Sequence, residues 1–144
     1  MAINQVEYSK LEKEIAKTRK PAAEHLAREI GATYVIAITR DGCPACEKQK
    51  PKLDRLARNL MQKHGDAVVF TRVHVKYSPE FVEESKRSKG VLGHYFYPTN
   101  LILFRTKDRG TVEYYKNSSP TMSELKKNIE SAITIATMME KEKA

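Results

Sequence analysis

The only two cysteines of this chain, Cys43 and Cys46, sit three residues apart in Cys43-Pro44-Ala45-Cys46, where an apolar strand pattern gives way to a helical one. Tyr34-Val35-Ile36-Ala37-Ile38 is continuously apolar, as in a strand buried on both faces, and Thr39-Arg40-Asp41-Gly42 closes it. A helical stripe of Cys46, Leu53, Leu56, Ala57 and Leu60 follows. Cys43 is therefore expected at a helix N-terminus, where unpaired N–H groups and the positive end of the helix dipole favour a thiolate. Pro44 suits the first helical position, which needs no N–H partner. Cys46 falls one turn later on the same face, within reach of a disulfide. In CxxC motifs the thiol pKa drops from about 8.5 to roughly 3.5–7.5, so the pair reads as a redox-active dithiol in which Cys43 attacks and Cys46 resolves.

The remaining composition narrows the alternatives. At 144 residues, 40% hydrophobic and 31% charged, the chain can build one sizeable core, so residues 1–144 are expected to form a single domain. No apolar run is long enough for a membrane helix, and MAINQVEYSKLEKE lacks the apolar stretch of a signal peptide; a cytoplasmic protein with no membrane partner is expected. Two cysteines are too few for a secreted disulfide scaffold. A structural zinc site needs four ligands, and His25, His64, His74 and His94 have no close spacing, so no metal is expected. The formal charge of +8 gathers at Lys48, Lys50, Lys52, Arg55 and Arg58, and again at Lys86, Arg87 and Lys89. Such a field speeds encounter with acidic proteins. No nucleic-acid motif accompanies it, so nucleic acid is not an expected partner.

Periodicity sets out the elements. Residues 5 to 30 read as helical, with Tyr8, Leu11 and Ile15 on one face, a break near Pro21, and Ala23, Leu26 and Ile30 before Gly31. The segment 1–30 is thus expected to be a helical extension packed on the rest. Val69 to Val75 alternates, as in a half-exposed or edge strand; Asn100 to Phe104 is continuously apolar and central; Thr111 to Lys116 returns antiparallel after a polar turn. A helix begins near Phe81 and Val82, and another follows the capping pair Thr121 and Glu124, with the stripe Leu125, Ile129, Ala132, Ile133, Ala136 and Met139. The expectation is a four-stranded mixed sheet between two helical layers.

Three local features together resemble the thioredoxin-like thiol-disulfide oxidoreductases: the strand, CxxC and helix in that order; Pro51, where that family's active-site helix often kinks; and Tyr97-Pro98-Thr99 leading into the strand Leu101 to Phe104, similar to the family's cis-proline loop. The match in element order runs over roughly residues 33 to 135. It implies a thioredoxin-like three-layer α/β/α fold. It implies further that Cys43 and Cys46 are catalytic, that Gly42, Pro44 and Ala45 are their active-site neighbours, and that Tyr97, Pro98 and Thr99 bind substrate, Tyr97 through its backbone. The chain departs from thioredoxins in having no Trp, and Ala37 stands six residues before the first cysteine, where they carry a buried Asp. Asn117-Ser118-Ser119 replaces the glycine pair with which glutaredoxins hold glutathione.

The expected function is thiol–disulfide exchange on protein disulfides or dithiols, with no metal or organic cofactor and with an unidentified recycling redox partner. The alternative is a noncatalytic thioredoxin-fold module that binds a protein segment or senses redox state. Arg72 and Lys48 are expected to be solvated cations, and His94 a solvent-facing loop residue.

Overall fold

The computed structural model describes residues 3–143. The elements in chain order are β1 (Ile3–Glu7), α1 (Tyr8–Thr18), α2 (Ala22–Leu26), β2 (Thr33–Arg40), α3 (Pro44–His64), a short 3₁₀ turn at Gly65–Ala67, β3 (Val68–Val75), α4 (Glu83–Leu92), β4 (Thr99–Arg105), β5 (Thr111–Asn117) and α5 (Met122–Lys143). The sheet order is β1-β3-β2-β4-β5. β1, β3 and β2 run parallel, β4 is antiparallel to β2, and β5 is antiparallel to β4.

Period-2 alternation explains why β2 reads as unbroken apolar sequence. Val35 and Ala37 face α3 and α5, where they join Leu53, Leu60, Phe70, Ile102, Leu125 and Ile129. Tyr34, Ile36 and Ile38 face the opposite way, into a second core with Tyr8, Leu11, Leu26, Val73 and Leu101. A strand covered on both sides has no polar positions to give away. On α3 the buried residues are Cys46, Leu53, Leu56, Ala57 and Leu60, the expected stripe, and α5 buries Leu125, Ile129, Ala132, Ile133 and Ala136. Thr121 Oγ1 accepts the Glu124 N–H at 3.0 Å, so the cap of the last helix is in place.

Two expectations are corrected. The sheet has five strands, because Ile3–Glu7 is not helical but pairs in register with Phe70–His74 of β3. Five residues ending at the helical pattern of Tyr8 carry little periodicity, and the free edge of β3 supplies backbone partners that a lone segment lacks. The segment after it is two helices, divided by Arg19 in the left-handed region at φ 58° and by Pro21. Likewise β3 is not an edge strand, since it lies between β1 and β2.

The polar positions of β3 therefore have internal partners. Arg72 is buried on the α3 side and its Nη2 donates to Asp54 Oδ1 of α3 at 3.3 Å. It is a structural cation and not the solvated one expected. Lys48, by contrast, is exposed on α3 as expected. Removing the carboxylate strands a guanidinium that has lost its water. Asp54→Ala is expected to lower stability by about 1–3 kcal/mol in urea unfolding, and more than Arg72→Met does. A neutral Asp54→Ala would show that the pair contributes nothing.

Candidate functional site

Chain folding at the end of β2 sets the site. Gly42 takes a positive φ of 62°, open to glycine at little cost, and turns the chain out of the strand. Cys43 is the N-cap of α3 with extended backbone, Pro44 occupies the first helical position, and Cys43 Sγ accepts the Cys46 N–H at 3.2 Å. The sulfur thus does what a serine or aspartate oxygen does at other helix starts, satisfying one of the unpaired donors. A thiolate in this position gains a charge-assisted hydrogen bond and the helix dipole. Cys43 and Cys46 form a disulfide with Cα atoms 5.2 Å apart. Both cysteines are buried, Cys43 at 4% exposure, whereas Gly42, Pro44 and Ala45 are exposed.

The second half of the site arrives through sheet register. Ile38 pairs with Thr99, so the residues before β4 lie beside those after β2. The Tyr97-Pro98 bond is cis, and the Tyr97 carbonyl oxygen lies 3.6 Å from Cys43 Sγ. A disulfide sulfur carries no proton to donate there; a Cys43 thiol could. Thr99 Oγ1 donates to the Phe96 carbonyl at 2.7 Å and closes the loop on itself. The Tyr97 ring is pinned by α4. Ser88 Oγ donates to the Ser85 carbonyl, so its lone pairs face the Tyr97 hydroxyl at 3.1 Å, and Ser85 Oγ completes the chain at 2.9 Å.

The structure thus brings together all the residues that the sequence singled out: Cys43 and Cys46 with Gly42, Pro44 and Ala45 on one side, and Tyr97, Pro98 and Thr99 on the other. Sequence reasoning missed three contributors. Arg40 Nη1 donates to the carbonyls of Asp41 (2.7 Å) and Gly42 (3.1 Å), holding a positive charge on the turn that precedes Cys43. A cation near a thiol favours its ionised form. Asp41 accepts from His74 Nε2 at 2.7 Å and from the Tyr77 N–H at 3.2 Å, and these hydrogen bonds hold its carboxyl below the usual range. With Nε2 donating, a neutral His74 accepts through Nδ1 from the Thr39 hydroxyl, 3.1 Å away. The signal was present in the polar ends of two strands, Thr39 to Asp41 and His74, but it needs the pairing Thr39↔His74 to be read.

Beneath α3, one row of the sheet pairs Arg72, Ala37 and Asn100. Asn100 is fully buried and its Nδ2 donates to Gln49 Oε1 of α3 at 2.8 Å. This row offers no carboxylate where the resemblance to thioredoxins would place one. Among the described residues no group of three or more His, Cys, Asp or Glu side chains is arranged to hold a metal, and no helix is long and apolar enough to cross a membrane.

His94 corrects another expectation. Its ring is buried, packs edge-on against Tyr97 with centroids 4.8 Å apart, and has no hydrogen-bond partner at either nitrogen among the described residues. Burial, with Lys89 and Lys116 nearby, pushes its pKa down to about 4. The unfolded chain takes up this proton near pH 6.5 and the folded chain does not, so stability falls with pH between about 6.5 and 4. The depressed carboxylates Glu12, Asp41, Glu24 and Glu130 begin to lose their contribution only as pH falls through their ordinary values, so they overlap the His94 window at its acid end alone. His94→Leu is expected to remove about 3 kcal/mol of that pH dependence in urea unfolding from pH 7 to 4. An unchanged slope would place the titration elsewhere.

No family model and no curated protein sequence matches the chain. Solved structures do. A Trichomonas vaginalis thioredoxin superposes with a TM-score of 0.58 at 14% identity, over 91% of this chain and 97% of its own. Spinach chloroplast thioredoxin f gives 0.56 at 18% identity, over 90% of this chain and 85% of its own. A chain from the complex of ferredoxin:thioredoxin reductase with thioredoxin f2 gives 0.55 at 18% identity, over 90% and 94%. The fold is thioredoxin-like. At these identities the likeness concerns the backbone, and the chemistry rests on the residues described above.

Proposed function

We propose that the protein is a thiol-disulfide oxidoreductase acting on protein disulfides or dithiols through Cys43 and Cys46. The observation that carries this reading is the disulfide-forming pair at the N-terminus of α3, with Cys43 Sγ as N-cap and the loop of cis Pro98 beside it. In the reducing direction the Cys43 thiolate attacks a substrate disulfide; the Cys43–substrate bond forms, the substrate S–S bond breaks, and the released sulfur takes a proton. Cys46, giving up its proton, then attacks Cys43 Sγ, closes the Cys43–Cys46 bond and frees the second substrate thiol. The substrate gains two electrons and the protein loses two, so an external dithiol reductant must restore it. One structural neighbour comes from the complex of ferredoxin:thioredoxin reductase with thioredoxin f2, which supports a reductase as the recycling partner. With no carboxylate in the row of Ala37, the Cys46 proton passes to another group, to water or to bulk buffer. No metal or organic cofactor enters these steps. The cytoplasm is the proposed location, on the ground that two cysteines make no secreted scaffold.

A noncatalytic binding or redox-sensing module is the second reading, favoured by the 4% exposure of Cys43. Substitution separates the two. Cys43→Ser is expected to abolish insulin disulfide reduction, and Cys46→Ser to accumulate mixed disulfides seen as reductant-sensitive adducts on gels. Full reductase activity in Cys43→Ser would falsify the exchange mechanism. Direction is read from the reduction potential, measured by thiol quantification in glutathione and dithiothreitol buffers. Given a reductant-coupled role, a value near or below about −250 mV is expected; one above about −200 mV would make the protein an oxidant or isomerase.

A further inference from the structure

We propose that the groove beside Cys43 lined by Arg40, Tyr77, Lys89, Tyr95, Phe96 and Tyr97 docks an acidic segment of the protein substrate. This rests on the exchange reading above and specifies its substrate class.

The groove encloses about 320 Å³ and carries four aromatic rings and two cations. Tyr95 and Phe96 are 80% and 68% exposed, side by side in the loop that ends at Pro98. Two large aromatics in water next to a reactive centre form the kind of anchor that protein interfaces use. The Arg40 guanidinium carbon stands 4.2 Å from the Tyr77 ring centroid and 5.7 Å from that of Tyr97, and Lys89 Nζ is 5.7 Å from Tyr97 on the α4 side.

Charge identifies the occupant. Arg40 uses Nη1 on the Asp41 and Gly42 carbonyls, so Nε and Nη2 are left for an incoming carboxylate, the geometry an arginine fork prefers. Among the described residues neither Arg40 nor Lys89 pairs with a carboxylate. On the far side of Pro98 a second groove holds Lys48 and Lys52, also unpaired among the described residues. No Asp or Glu lines either groove. The nearest carboxylate in sequence, Asp41, is held by His74 and the Tyr77 N–H. A chain crossing Cys43 therefore meets positive charge on both sides. Aromatic rings with cations also suit single-stranded nucleic acid. The peptide is favoured because Tyr97 lines one groove and the next residue, Pro98, lines the other, and the Tyr97 carbonyl stands 3.6 Å from Cys43 Sγ, a backbone acceptor at the reactive sulfur for an extended polypeptide.

The test uses the reduced full-length protein and three synthetic peptides of equal length. Each has one internal disulfide and one Phe, flanked by Glu, by Gln or by Lys. The second-order rate of protein oxidation is expected to be at least about tenfold higher with the Glu peptide than with the Lys peptide at low salt, a contrast that shrinks as salt is raised. Lys89→Gln and Lys52→Gln should each reduce the contrast, while Lys13→Gln on the exposed side of α1, equal in charge change, should retain it. Equal rates for the three peptides overturn the proposal and leave the exchange reading standing. No reaction with any of them defeats both. Fluorescence anisotropy with the cysteines of the peptides replaced by serine reads the surface without the chemistry. Tighter binding of the Glu peptide supports the proposal, and tighter binding of a single-stranded oligonucleotide than of the Glu peptide overturns it.

Discussion

The register between β2 and β4, with Ile38 opposite Thr99, is the constraint on which the site depends. It places the end of one central strand beside the start of the other, so that Cys43 and the Tyr97 carbonyl meet although 54 residues separate them. The register is held by burial. Val35, Ala37 and Ile102 must face α3 and α5 while Ile36, Ile38 and Leu101 face the other core. A slip of one residue would turn every side chain of the slipping strand to the wrong layer, and the cost of that inversion keeps the two loops aligned.

Around this junction polar groups are placed where the sheet ends and water begins. Cys43 caps α3, Arg40 clasps the turn before it, and Asp41 bridges to His74 and Tyr77 on the β3 side. Helix α4 contributes from farther off, since Ser85 and Ser88 fix the Tyr97 hydroxyl while Lys89 stands over the same ring. One tyrosine thus connects an interior hydrogen-bond chain, a buried histidine and the surface a substrate would meet. Rigidity in the loop follows from these bonds together with the Thr99 contact to Phe96. On the exchange reading, a site that aligns two sulfurs and an incoming third gains from such preorganisation.

The pair Cys43 and Cys46, the helix stripe below it and the proline loop were legible because each is a local pattern: a spacing, a 3.6-residue period, a proline at a strand entry. The two errors in the sheet share one cause. Ile3 to Glu7 becomes a strand only by taking the vacant edge of β3, and β3 ceases to be an edge only because that segment takes it. Arg72 and His94 were misjudged for a related reason. A charged residue on an alternating strand and a histidine in a loop look solvated until a neighbour from elsewhere in the chain covers them, Asp54 in one case and Tyr97 in the other.

The sequence by itself determined the elements that a short window can specify: the twice-buried strand Tyr34 to Ile38, the helix that Cys43 begins, the paired sulfurs and the excess of positive charge. Tertiary structure alone decided which charges remain free to act. Lys48, Lys52, Lys89 and Arg40 lack carboxylate partners among the described residues, whereas Arg87 and Arg105 are paired with Glu12 and Glu24. The physical reason is that pairing and desolvation depend on distances of a few ångströms between segments far apart in the chain, and those distances exist only once the sheet register has closed.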